Sequence, residues 1–261
     1  MPQFAANLTM LFNELPFRER FAAAKAAGFN AVEYLFPYDH DKAMLREELN
    51  RYQLTQVLHN LPAGDWGAGE RGIAILRDRV DEFRDGVATA IDYAEALDCK
   101  QLNCLVGIAP PEADAAELNE VLVSNLRFAA DALGRHGIKL LIEPINTIDI
   151  PRFFLNRTEQ AARLISEVGA PNLFIQYDIY HMQIMEGDLA RTLQTHLDRI
   201  AHVQLADNPG RHEPGTGEIN YSYLFKHLDS LGYRGWIGCE YKPRTTTVES
   251  LGWHAAHTFE T

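Results

Sequence analysis

Eight short runs of strand-forming residues recur along the chain, separated by longer stretches whose apolar residues return every three to four positions. The runs are Phe4–Leu8, Ala31–Phe36, Thr55–His59, Gln101–Val106, Ile138–Ile142, Leu173–Tyr177, Ile200–Leu205 and Trp236–Cys239. The helical stretches include Phe17–Ala27, Phe83–Leu97, Leu118–Leu133, Glu159–Val168, Leu189–Leu197 and Tyr223–Leu231. Several helices stop at a glycine placed to take the left-handed turn that other residues resist: Gly28, Gly137, Gly169 and Gly232. Alternation of this kind demands parallel strands joined by helical crossovers. Eight units of about 33 residues fit a closed ring better than an open sheet, so the expected fold is one (β/α)₈ TIM barrel over residues 1–261. The charged clusters Arg46–Arg51 and Arg77–Asp85 are expected to be solvated helix faces.

Barrels of this design assemble their chemistry where the strands end. Here those ends are polar: Asn7, Glu33, His59 with Asn60, Asn103, Glu143, Asp178, Gln204 and Glu240 each close an apolar run. The last four come from consecutive strands and should converge on one arc of the mouth. Two like charges about 4 Å apart repel by on the order of 4 kcal/mol at an effective dielectric of 20, so three carboxylates there need a cation or a retained proton. An all-oxygen donor set favours Mg²⁺ or Mn²⁺ over zinc. The competing reading has each acid capping a following helix or pairing with a surface lysine. Residues two positions back face the same interior, namely Leu141, Gln176, His202 and Gly238, and Gln176 and His202 are placed to support the groups above them.

The loops add positive and hydrogen-bonding groups. His181 falls three residues after Asp178, on the mouth side. The glycine-rich segment from His59 to Gly72 reads as a movable cover that brings Arg71 inward. A second segment, Asp207 to Glu218, carries Arg211 and glycines that also fit a phosphate cradle. Arg71, Arg211, His181 and Lys242 around an acidic centre suit a small substrate that has its own carboxylate.

Composition narrows the partners. With 24 Lys and Arg against 36 Asp and Glu, the net charge of −12 repels a phosphate backbone, and nucleic acid is not expected. No apolar stretch is long enough to span a membrane and Met1 to Met10 carries no leader pattern, so a cytoplasmic protein is expected. The three cysteines form no CxxC pair, and Cys104 and Cys239 sit in apolar runs as small buried residues.

At its strand ends and loops the chain resembles the xylose isomerase-like barrel superfamily, and within it the hydroxypyruvate isomerase family. The strings that carry this are Ala6-Asn7-Leu8, Phe36-Pro37-Tyr38, His59-Asn60-Leu61-Pro62-Ala63-Gly64-Asp65-Trp66, Gly69-Glu70-Arg71-Gly72 and Asn103-Cys104-Leu105-Val106-Gly107. They continue through Ile142-Glu143-Pro144-Ile145-Asn146, Gln176-Tyr177-Asp178-Ile179-Tyr180-His181, Glu213-Pro214-Gly215-Thr216-Gly217-Glu218-Ile219-Asn220 and Gly238-Cys239-Glu240-Tyr241-Lys242-Pro243. The resemblance implies Glu143 and Glu240 as an acid/base pair and Glu143, Asp178, Gln204 and Glu240 as ligands of Mg²⁺ or Mn²⁺. Related sugar isomerases usually carry His where this chain has Gln204. The implied reaction interconverts hydroxypyruvate and tartronate semialdehyde, with His59, Arg71, His181 and Arg211 as candidates for holding this small 2-oxo acid. Three alternatives stay open: isomerisation of a four-carbon 2-oxo-tetronate, glycoside hydrolysis by two carboxylates, and a non-catalytic sugar-acid binding module.

Overall fold

The computed structural model describes residues 2–254; Met1 and residues 255–261 of the expected domain lie outside them. Eight parallel strands close into a barrel in sequence order: β1 (Gln3–Asn7), β2 (Ala31–Glu33), β3 (Thr55–Asn60), β4 (Gln101–Cys104), β5 (Lys139–Ile142), β6 (Leu173–Asp178), β7 (Ile200–Leu205) and β8 (Trp236–Cys239). Closure comes from β8 pairing with β1, in the register Phe4 to Ile237 and Ala6 to Cys239. Outside lie α1 (Phe17–Ala26), α2 (Lys42–Tyr52), α3 (Val80–Leu97), α4 (Ala115–Gly134), α5 (Thr158–Val168), α6 (Ile179–Met185), α7 (Leu189–His196), α8 (Tyr221–Ser230) and α9 (Thr247–Ser250).

Helix starts follow side-chain capping. Asp41, Asp114 and Asp178 accept the first free backbone N–H groups of α2, α4 and α6. The expected glycines end their helices in the left-handed region, and Gln53 and Asp98 do the same without being glycine. Three helices escaped the periodicity. α2 buries only Leu45, Glu48 and Leu49, while α6 and α9 are too short for a repeat to register.

The two charged clusters are not purely solvated. Glu48 is buried and accepts from Arg18 Nε at 2.5 Å, joining α2 to α1. Arg79 bonds Glu70 at 2.8 Å and holds the loop after β3. The apolar core fills the layer between barrel and helices, and a smaller cluster of Ala5, Ala31, Val57, Leu58 and Leu141 sits apart from it. Cys99, Cys104 and Cys239 are buried and unpaired with one another. Among the described residues no helix is long and apolar enough to cross a membrane.

Candidate active site

Alternation along the strands decides which polar ends reach the barrel mouth. A cavity of about 700 Å³ opens there, and Asn7, Glu33, Asn60, Glu143, Gln204 and Glu240 all line it. Loops complete the wall with Arg71, His181, Arg211 and Lys242. The expected convergence on the β5–β8 arc is present.

His59 is not part of it. In β3 the cavity-lining residues are Leu58 and Asn60, so the residue between them faces the helices. His59 is fully buried against Tyr38, with ring centroids 6.1 Å apart. Burial pushes its pKa down to about 3, with the backbone of Ala90 in α3 only partly offsetting this. The sequence expectation erred by one residue, and in a strand one residue is the difference between faces.

The three carboxylates are crowded and differently supported. Glu143 Oε2 accepts from Asn103 Nδ2 at 3.1 Å, and the same amide reaches Asn60 Oδ1 at 3.2 Å. Glu240 Oε1 accepts from Arg211 Nη2 at 2.6 Å, while that nitrogen lies 3.8 Å from Asp178 Oδ2. Asp178 serves two purposes: Oδ1 caps α6 through Tyr180 N and His181 N, while Oδ2 is buried without a hydrogen-bond partner. Capping and a site role, set against each other from sequence, thus coexist on the two oxygens of one residue.

Burial, followed by the charges of Glu240 and Asp178, holds the Glu143 carboxyl well above the ordinary range. Burial raises Asp178 as well, against the pull of Arg211. Glu240 is raised to about 8, again chiefly by burial and against Arg211. The guanidinium loses solvation too, but Glu240, Asp178 and Glu143 keep it firmly protonated. One fixed cation for three carboxylates leaves room for a proton or a further cation.

Arg211 is placed by a rigid loop. Asp207 is fully buried and its carboxylate accepts from the backbone N–H of Asn208, Gly215, Gly217 and Ile219. The glycine N–H groups that resembled a phosphate cradle therefore already have an internal anion. Arg211 itself adopts a left-handed backbone, φ 58°, a conformation that disfavours a side chain by about 1–2 kcal/mol. Its guanidinium also lies 5.3 Å from the Tyr180 ring centroid.

On the opposite rim, Arg71 stacks 3.9 Å from the Trp66 ring centroid and donates to the carbonyls of Trp66 and Glu70. Glu70 takes the N–H of Asp65 at 2.5 Å as well as Arg79, so the segment is stapled. Its glycines allow close approach: a Cβ on Gly72 would sit 1.9 Å from the Leu105 carbonyl oxygen.

A polar chain inside the barrel was only half legible. Glu33 accepts from Asn7 Nδ2 at 2.9 Å and Gln204 Nε2 at 2.8 Å, and its other oxygen lies 2.7 Å from His202 Nε2. The Gln204 oxygen in turn accepts from Gln176 Nε2 at 2.6 Å. Gly238 makes this crossing feasible, because a Cβ there would lie 2.3 Å from Glu33 Oε1. Glu33, Asn60 and Asn103 stood at strand ends in the sequence, but nothing local assigned them partners. Asn146, Asp149 and Tyr180, which meet around His181, carried no periodic signal at all.

Fold and site together define a (β/α)₈ barrel enzyme class whose mouth holds several carboxylates and an arginine. The family model for the xylose isomerase-like TIM barrel matches residues 21–257. The hydroxypyruvate isomerase of Escherichia coli (strain K12) is 56% identical over 253 residues, covering 97% of this chain and 98% of that protein. The 2-oxo-tetronate isomerase of Cupriavidus necator is 50% identical, covering 97% of both. A crystal structure described as an AP endonuclease, family 2, from Brucella melitensis superposes with a TM-score of 0.97 at 50% identity, covering 98% of this chain and 99% of that one. This chain belongs to the xylose isomerase-like TIM barrel family.

Proposed function

We propose that the protein is a hydroxypyruvate isomerase, interconverting hydroxypyruvate and tartronate semialdehyde through an enediolate. The observation that carries this reading is the pairing of Glu143 and Glu240 in one cavity, each with a raised pKa and each held by its own partner. Carboxyls raised above their ordinary range by burial hold protons they can give as well as take. One ionised carboxylate removes a proton from C3 of hydroxypyruvate, leaving an enediolate across C3 and C2. The hydroxyl proton passes from O3 to O2, and the second carboxyl delivers a proton to C2. Reversal exchanges the roles. Arg211 and Arg71, which both line the cavity, supply positive charge that suits a substrate carboxylate.

The site also fits a divalent ion, because Asp178 Oδ2 is buried without a hydrogen-bond partner and clusters with a Glu143 oxygen. Glu143, Asp178 and Glu240 would hold Mg²⁺ or Mn²⁺; Gln204, expected as a fourth ligand, instead turns its nitrogen toward Glu33 and Glu240 and its oxygen toward Gln176, because an amide beside two carboxylates donates to them. Such an ion would lower the energy of the negative oxygens of the enediolate.

A four-carbon 2-oxo-tetronate is the second reading. It is favoured by a cavity of about 700 Å³, generous for three carbons, and by the 50% identity to the Cupriavidus necator protein. A direct test assays both acids in heavy water, before and after chelator treatment. Hydroxypyruvate turning over faster, with deuterium on the carbon that gains hydrogen and activity restored by Mg²⁺ or Mn²⁺, is the expected result. Faster turnover of the four-carbon acid transfers the assignment to the second reading. Label-free product replaces proton transfer with a hydride shift.

A further inference from the structure

The side chain of Asn146 is fully buried at the start of the loop after β5, and each of its polar atoms is committed. Its oxygen accepts from the backbone N–H of Ile148 at 3.0 Å and of Asp149 at 2.8 Å, closing a turn. Its nitrogen donates to Asp149 Oδ2 at 3.1 Å and meets His181 Nδ1 at 2.7 Å. Asp149 Oδ2 is itself held by the hydroxyl of Tyr180 at 2.9 Å. Turning the amide over would set its nitrogen against two backbone donors and its oxygen against a carboxylate. The orientation of Asn146 is therefore determined by three contacts that do not involve histidine.

That orientation decides the state of His181. A nitrogen facing an amide N–H must be an acceptor, so Nδ1 carries no hydrogen. The ring is then neutral with its hydrogen on Nε2, since an imidazolium would oppose two donors. Nε2 lies at the cavity, 3.6 Å from Asp178 Oδ2 and 3.9 Å from Glu143 Oε1. A nitrogen that bears hydrogen cannot ligate a metal. By distance alone His181 belongs to a cluster with Glu143 and Asp178, yet its ligand atom is already a donor.

We propose that Asn146 is a positioning residue that locks His181 as the neutral Nε2–H tautomer, making it a hydrogen-bond donor to a substrate oxygen rather than a metal ligand. The donor's role toward substrate rests on the isomerase reading above; the tautomer does not. A neutral donor aimed at an oxygen that gains negative charge in the enediolate strengthens its bond there, without transferring its proton.

The test is ¹⁵N NMR of the histidine side chains, with His181 assigned by the signals lost in His181→Asn. The wild type should give an unprotonated Nδ1 and a protonated Nε2. Asn146→Asp, paired with Asp149→Asn so that the new oxygen does not oppose a carboxylate, keeps an oxygen for the turn but presents an acceptor to Nδ1, so the ring should gain a hydrogen on Nδ1. Turnover should then fall by about tenfold or more with KM changed less than about threefold, the signature of an interaction made mainly in the transition state. Protonated Nδ1 in the wild type overturns the lock, whether or not the variant folds. A doubly substituted enzyme with unchanged turnover despite a moved proton overturns the donor role. Wild type inactive on every 2-oxo acid but with the expected ring state rejects the isomerase reading and upholds the tautomer.

Discussion

The β5–β8 half of the barrel mouth and the β1–β4 half end in polar side chains alike, but they do different work. Strands β5, β6 and β8 deliver Glu143, Asp178 and Glu240, whose carboxyl groups are raised by burial and balanced by Arg211. Strands β1, β3 and β4 deliver the amides Asn7, Asn60 and Asn103, which hold neighbouring side chains by hydrogen bonds. One half collects charge and the other orients it. Two residues depart from this division: Glu33 on β2, which faces inward to His202 of β7 across the barrel, and Gln204 on β7, an amide that orients Glu33. Amides orient a carboxylate at low cost because they bring no charge of their own to the buried site.

This contrast breaks first at the acids. Glu143→Gln and Glu240→Gln keep shape and lose proton transfer, so each should lower turnover by about 10²-fold or more. Steady-state rates on hydroxypyruvate measure this, and substantial activity in both variants would demote the charged half to a scaffold. Next come the groups that touch those acids from each side. Arg211→Ala should cut kcat/KM at least about tenfold, since losing a desolvated charge partner typically costs about 2–5 kcal/mol. Asn103→Ala, from the amide half, removes a single hydrogen bond to a carboxylate worth about 1.5–3 kcal/mol, and should fall short of the Arg211 effect. Equal losses in the two would erase the proposed division.

The smallest expected effect on catalysis lies next to Asn60. His59 points to the helices, so His59→Gln should leave turnover unaltered and act on acid stability alone. The folded pKa of about 3 lies below the ordinary value of 6.5, so between those limits the unfolded chain binds a proton that the folded one does not. Folding stability conferred by the neutral ring is therefore complete above pH 6.5 and declines as pH falls toward 3, by up to about 1.4 kcal/mol per pH unit. Denaturant melts from pH 7 to 4 should show a shallower decline in the variant. An unchanged slope, or a large loss of turnover, would return His59 to the mouth.

Most of the architecture was legible because it depends on local periodicity. Ile200–Leu205 and Trp236–Cys239 match β7 and β8 to the residue, while the ends of β2 and β4 fall short of Phe36 and Val106, whose chains already belong to the connecting loops. The carboxylates were legible too, since strand alternation and the barrel's polarity place them without any partner being known. The face of His59 was not, because a run ending His59-Asn60 is apolar on both sides and its parity is set only when β3 pairs with β4 at His59 to Leu102.

The amino-acid sequence by itself determined the eightfold alternation, the helix stops at glycine and the polar strand ends, all properties of neighbours within a few positions. Tertiary structure alone decided that Arg211 would sit between Glu240 and Asp178, that Glu33 would reach His202 over the bare Cα of Gly238, and that Asn146 would set the ring of His181. Each of those contacts joins residues 29 to 169 positions apart, or depends on which of two amide atoms a distant turn has claimed. Periodicity carries no information about partners at such separations; closure of the barrel supplies it by bringing the strand ends onto one ring.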